Sequence, residues 1–204
     1  MEKIDLFNEH KDEYVKPTKP TLVQIKSAKY LAATGGGKPG GDEFKARIGA
    51  LYGLAYTIKM IRKFSGGQDF KVCPLEGLYW DVEQGLENFN WKLLIRVPSD
   101  VTAKELSASV AKLEAKGKQG PFRDVALEVL KEGKCVQMLH IGPYDAEAGT
   151  IAQMQAFCDE KGLRFAGYHH EIYLSDPQRV APEKLKTVLR QPVASAKAGK
   201  AAGA

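Results

Sequence analysis

The amino-acid sequence predicts an α+β chain built from a duplicated β-α-β-β unit, and three observations carry that prediction. Apolar residues alternate with period two in several short runs and recur at three- to four-residue spacing in others, so strands and helices both occur. The order strand, helix, strand, strand is met twice along the chain. The two closing segments are also spaced alike: 17 residues separate Asp81 from Pro98, and 16 separate Asp176 from Pro192.

The elements follow in order. Residues 1–20 are polar and end in "KPTKP", an extended linker or edge piece. "TLVQIKSAKYLAA" alternates and reads as a strand, and "TGGGKPGG" then forbids helix. A long helix follows with Asp42 as N-cap and Phe44, Ile48, Leu51, Ala55 and Ile58 on one stripe, ended by "SGG". "FKVCPLEGLYWDV" and "NFNWKLLIRVP" are strands joined by the turn "EQGLEN". Thr102 and Glu105 form a capping box for the next helix. "FRDVALEVLKEG" has helical period and ends at Gly133. The second unit then reads "KCVQMLHIG" (strand), "DAEAGTIAQMQAFCDEKG" (helix), "LRFAGYHHEIYLSDP" (strand) and "KLKTVLRQP" (strand, with a short helical start).

The internal match aligns Val23-Gln24 with Val136-Gln137, "LEGLYWD" with "HEIYLSD", and "LLIRVP" with "TVLRQP". The domain then spans 21–193, with a first half at 21–98, a helical connector at 102–132 and a second half at 134–193. The tail 194–204, "ASAKAGKAAGA" from residue 194, is low in complexity and predicted disordered.

Composition excludes several classes. The formal net charge is +5, and two of those charges lie in the tail, so a nucleic-acid-binding surface is not indicated. Cys73, Cys135 and Cys158 are far apart and in no C-x-x-C pair, which argues against a disulfide framework or zinc site and for buried thiols. The charged N-terminus has no apolar h-region, and no apolar run is long enough to span a bilayer, so a cytoplasmic protein is expected. "TGGGKPGG" lacks the G-x-x-x-x-G-K-[ST] pattern of a phosphate loop and reads instead as a flexible lid. No cofactor is expected. No metal is expected either, because His169 and His170 point to opposite faces of a regular strand.

Three stretches, "HIGPYDA", "HHEIYLSDPQRVAPEKLKTVLRQPV" and "PLEGLYWD", resemble the GyrI-like small-molecule-binding family, over residues 21–193. Its domains also form the effector-binding part of multidrug-responsive transcription regulators. The resemblance implies two pseudo-twofold-related units sharing an antiparallel sheet, with a groove between two long helices. It implies lipophilic, often cationic, aromatic ligands; for some stand-alone members it implies hydrolysis of cyclopropane-containing cytotoxins. It also suggests a gyrase interaction. The regulators' helix-turn-helix has no counterpart here, which speaks against direct DNA binding.

Alternation sorts the strand around Glu171. His169, Glu171 and Tyr173 share one face, and His170, Ile172 and Leu174 share the more apolar, core-facing one. A carboxylate among rings favours a cation, through charge and cation–π attraction. The resemblance places a pocket glutamate on this strand, which falls on Glu171. Tyr144 either packs on the following helix or points its hydroxyl towards Glu171, where it could orient a ligand or position water. In the first half the candidates are Trp91 and one of Tyr79 and Trp80, since adjacent residues face opposite ways unless Glu76 and Gly77 form a bulge. Tyr52 and Tyr56, four apart on the first long helix, line either the groove or the core.

Overall fold

The computed structural model describes residues 3–81 and 89–196. The predicted turn at 83–88 and the tail beyond 196 lie outside the described residues. Four helices occur among these residues: α1 (Leu6–Glu9), α2 (Asp42–Phe64), α3 (Ala103–Ala115) and α4 (Ala148–Glu160). The strands are β1 (Thr21–Ile25), β2 (Ala28–Gly36), β3 (Leu75–Trp80), β4 (Asn90–Val97), β5 (Ala126–Leu130), β6 (Gly133–Ile141), β7 (Leu163–Phe165), β8 (His169–Tyr173) and β9 (Lys186–Ser195). The sheet is antiparallel throughout, in the order β1-β6-β9-β8-β3-β4-β2-β5, with β7 added on β9.

Each unit contributes three central strands, β2-β4-β3 and β6-β9-β8, and the units meet where β3 pairs with β8. The outer edges also meet. β1–β2 and β5–β6 run in a single register, from Thr21↔Gln137 and Ile25↔Gly133 through Ala28↔Leu130 to Ala32↔Ala126. This ribbon joins the two ends of the strand order, so the sheet curls around an inner face and leaves an outer face for the helices.

Two apolar clusters hold the helices on that outer face. Leu31, Ala33, Leu93 and Ile95 of the sheet meet Leu51, Leu54, Ala55 and Ile58 of α2. Val136, Met138 and Leu189 meet Met154 and Cys158 of α4. The predicted apolar stripe of α2 is thus its buried stripe. Its N-cap is Gly41 rather than Asp42; Asp42 and Glu43 occupy the first turn, where acidic side chains complement the helix dipole. The capping box of α3 forms as predicted.

Three expectations are corrected. "FRDVALEVLKEG" is not a helix: a 3-10 turn (Phe122–Asp124) leads into β5. Its period fits a helix, but the free edge of β2 offers a full ladder of backbone partners, and Leu127 and Leu130 reach opposite apolar clusters. The N-terminal 20 residues are not a linker: Glu13 and Tyr14 are buried against the inner face of the sheet. Finally, Val23-Gln24 is not equivalent to Val136-Gln137. β1 pairs with β6 across the ribbon, Leu22 opposite Val136, while β2 and β6 hold the equivalent places beside β4 and β9.

The inner face is polar, and its charged side chains are paired. Tyr14 donates to Glu76 at 2.8 Å. The ring nitrogens of His170 meet Glu76 at 3.0 Å and Glu132 at 2.9 Å. Arg190 donates to Glu132 at 3.0 Å and to the Glu13 carbonyl at 2.6 Å, and Arg96 donates to Glu13 at 2.8 Å. Burial opposes the charge on His170, but Glu132 and Glu76 outweigh it and raise its pKa to about 9.

Candidate functional site

A cross-strand row, Ala33–Leu93–Gly77–Glu171–Leu189–Met138, locates the site. Residues opposite one another in a ladder share a face. Ala33 and Leu93 lie in the α2 cluster, and Leu189 and Met138 in the α4 cluster. Gly77 and Glu171, on the seam between the two units, floor the groove between them.

β8 sorts its side chains as its alternation predicts. His170 and Ile172 are fully buried on the inner side, and His169, Glu171 and Tyr173 are half-buried on the groove side. β3 keeps an unbroken register with β4 from Leu75 to Trp80, so no bulge occurs at Glu76 and Gly77. Tyr79 therefore faces the groove, where its hydroxyl meets that of Tyr173. Gly77 leaves room for this ring: a Cβ there would come within 2.9 Å of it.

Trp80 lies on the inner side, 4.7 Å from the ring of Tyr168, and does not reach the groove. Trp91 is fully buried, 5.0 Å from Phe44, with its indole N–H donated to the Gly37 carbonyl at 3.1 Å. Its ring lies across Gly35, where a Cβ would approach within 2.2 Å. Part of the glycine stretch thus continues β2 and accommodates a core tryptophan. Both corrections follow from strand alternation, which sends Trp80 to the wrong face, and from core packing, which covers Trp91.

Tyr144 sits at the rim, 40% exposed, with its ring edge-on to Tyr173 at 5.7 Å. Tyr52 and Tyr56 stack at 6.4 Å on α2; Tyr52 is half-buried against the core and Tyr56 is exposed. Asp176, just beyond β8, is close enough to both Tyr52 and Tyr144 to help raise their hydroxyl pKa values, after burial.

The residue that sequence reasoning missed is Glu147, at the start of α4. It is 6% exposed, and its Oε1 has no hydrogen-bond partner. Burial and the neighbouring Glu171 push its carboxyl well above the usual range. Burial also raises Glu171, although a hydrogen bond from Tyr173 pulls the other way. The N-terminus of α4 favours an anion by only about 0.3–1 kcal/mol, less than the several kcal/mol of burying a second unpaired charge. Two carboxylates here cannot both stay ionised without a cation. In the sequence, Glu147 reads as an ordinary helix-start acid; only the fold brings it over β8.

His169 completes the group. Burial, then the His170 charge, lowers its pKa to about 4, so it is neutral at pH 7. An interaction with Gln191, whose amide nitrogen donates to the Ala166 carbonyl at 2.8 Å, pulls the other way. His169 Nε2 is left without a partner, 3.6 Å from Glu171 Oε1. Ligating atoms of Glu147, His169 and Glu171 lie within 4.8 Å of one another, so they could surround a cation. No helix among the described residues is long and apolar enough to cross a membrane.

The GyrI-like small molecule binding domain matches residues 18–194. No curated protein matches the chain. The chain is 37% identical to a solved structure described as a hydrolase from Listeria innocua, with a TM-score of 0.87, covering 94% of this chain and 100% of that one. It is 38% identical to an uncharacterized conserved protein of the same organism, with a TM-score of 0.88 and coverage of 94% and 100%. The EcmrR C-terminal domain shares the fold at 12% identity and a TM-score of 0.58, with coverage of 87% and 98%.

Proposed function

The chain belongs to the GyrI-like small-molecule-binding family, and from that premise we propose that it binds a lipophilic aromatic molecule in the groove and hydrolyses it, with Glu171 as the base. The observation that carries this reading is the pair of buried Glu147 and half-buried Glu171 at the groove, both carboxyls held above their usual range. A carboxylate raised towards neutral pH is a better base than a solvated one. Tyr79, Tyr144 and Tyr173 supply rings to hold a flat ligand and to exclude bulk water around a single attacking molecule. The similarity to a Listeria innocua protein described as a hydrolase supports turnover over simple binding.

A substrate with a strained ring suits so small a catalytic set, because ring opening supplies much of the driving force. The test is incubation with a spirocyclopropyl dienone and mass spectrometry of the product. A ring-opened adduct one water heavier is expected from the wild type, and a rate lower by about 10²–10⁴-fold from Glu171→Gln. Stoichiometric protection without product would instead support the second reading, sequestration of lipophilic cations. The same unbalanced carboxylates favour it, since a cation would neutralise them. In that case a cationic dye such as rhodamine 6G binds the wild type and is weakened by Glu171→Gln.

A further inference from the structure

Three polar groups converge on the groove floor: the carboxyls of Glu147 and Glu171 and the imidazole of His169. Glu147 and Glu171 share a hydrogen bond, which raises the carboxyl of the first and lowers that of the second. His169 is neutral, and its Nε2 has no hydrogen-bond partner and lies 3.6 Å from Glu171 Oε1. Two carboxylates this close repel one another, so at least one proton resides between them. The neighbours decide where. A hydrogen bond from Tyr173 stabilises the Glu171 anion, whereas Glu147 Oε1 has no hydrogen-bond partner and Glu147 is the less exposed residue.

We infer that Glu147 is the general acid of the groove, working opposite Glu171 and exchanging its proton with it directly. This rests on the hydrolytic reading above. Water attacks the electrophilic carbon, forming a C–O bond, while Glu171 takes one proton from that water. The bond from this carbon to the departing group breaks, and its electron pair moves, directly or through conjugation, to an oxygen of the substrate. Glu147 gives its proton to that oxygen. Glu171 is then protonated and Glu147 ionised; a proton passing from one carboxyl to the other restores the starting state.

The substrate class follows from this balance. It is a neutral electrophile whose reacting carbon is linked to a protonatable oxygen, as in a ring conjugated to a carbonyl, an epoxide or a lactone. A permanent cation without such an oxygen would bind as an inhibitor.

The test follows turnover of the spirocyclopropyl dienone with pH for the wild type, Glu147→Gln and Glu147→Ala. The wild-type rate should fall on the alkaline side as Glu147 loses its proton. Glu147→Gln should lose about 10²–10⁴-fold and that alkaline limb, while rhodamine 6G still binds and reports an intact groove. Added formate should restore part of the rate to Glu147→Ala and none to the wild type. A Glu147→Gln rate within about threefold of wild type, with its alkaline limb intact, overturns the inference while leaving the hydrolytic reading in place. No product from the wild type sinks both. Loss of activity on chelation with EDTA would also overturn it, by assigning the three groups to a metal. If Glu147→Gln does not fold, the infrared carboxyl band of the wild type decides. A protonated carboxyl persisting at about pH 8 supports the inference, and full ionisation by about pH 6 overturns it.

Discussion

His170 and Glu171 are adjacent on one strand, yet they belong to opposite kinds of environment. On the inner side, His170, Arg190 and Arg96 meet Glu76, Glu132 and Glu13, and each of these side chains has a partner of opposite charge. On the groove side, Glu171 and Glu147 face a neutral histidine and three tyrosines. Neighbouring histidines shift in opposite directions for this reason: His170 rises to about 9 and His169 falls to about 4. Buried charges that are matched fix a structure; buried charges left unmatched are poised for a ligand or a proton. A single step along the strand separates the two.

The largest test of this contrast compares two conservative removals. His170→Leu leaves Glu76 and Glu132 without their shared cation, and should destabilise the protein by about 3–5 kcal/mol. Glu171→Gln removes a carboxyl that burial already disfavours, so stability should be unchanged or higher by about 1 kcal/mol. Urea denaturation of both variants measures this. Equal losses would mean that the groove carboxyl is as well matched as the inner cluster, and the contrast would fail.

Much of this was legible in the sequence, and what was missed has physical causes. Period two placed His169, Glu171 and Tyr173 together because β8 is flanked on both sides, leaving no freedom to slip. The order of elements exposed the duplication, but not its register, since β1 and β5 are additions that copy the pattern of the strands they precede. β5 reads as helix because five residues cannot distinguish the periods, and the partner that decides, β2, lies more than ninety residues away. Trp80 and Trp91 attract attention as aromatics, but composition carries no information about which face they take. Glu147 was invisible for a related reason. An acid at a helix start is ordinary; its meaning comes from the strand beneath it.

A smaller effect concerns pH. His170 holds its proton more tightly in the folded state, about 9 against 6.5. The stabilisation from this ion cluster is therefore complete below about pH 6.5 and is lost as pH rises through about 9, a loss of about 3 kcal/mol. The groove carboxyls, also raised, act in the same sense: ionising them in place costs stability as pH rises above their usual range. Thermal unfolding from pH 6 to pH 10 should thus show a falling midpoint, and His170→Leu should remove part of the slope and leave the share of the groove carboxyls. A wild-type midpoint that stays level across this range would place the cluster's charges elsewhere.

The smallest effect tests the same alternation on the neighbouring strand, where Tyr79 and Trp80 repeat the contrast of Glu171 and His170. Tyr79→Phe removes the hydroxyl that meets Tyr173, and with it a support for the hydroxyl that Tyr173 offers to Glu171. It should weaken rhodamine 6G binding by about 1 kcal/mol, or roughly fivefold, through the groove alone. Trp80→Phe keeps an aromatic ring against Tyr168 on the inner side and should leave dye affinity within about twofold, while the smaller ring lowers stability by about 1 kcal/mol. Fluorescence titration of the two variants, with urea midpoints alongside, separates the effects. If Trp80→Phe weakens the dye more than Tyr79→Phe, the ligand enters from the inner side of the sheet, and the groove over Gly77 and Glu171 is not its site.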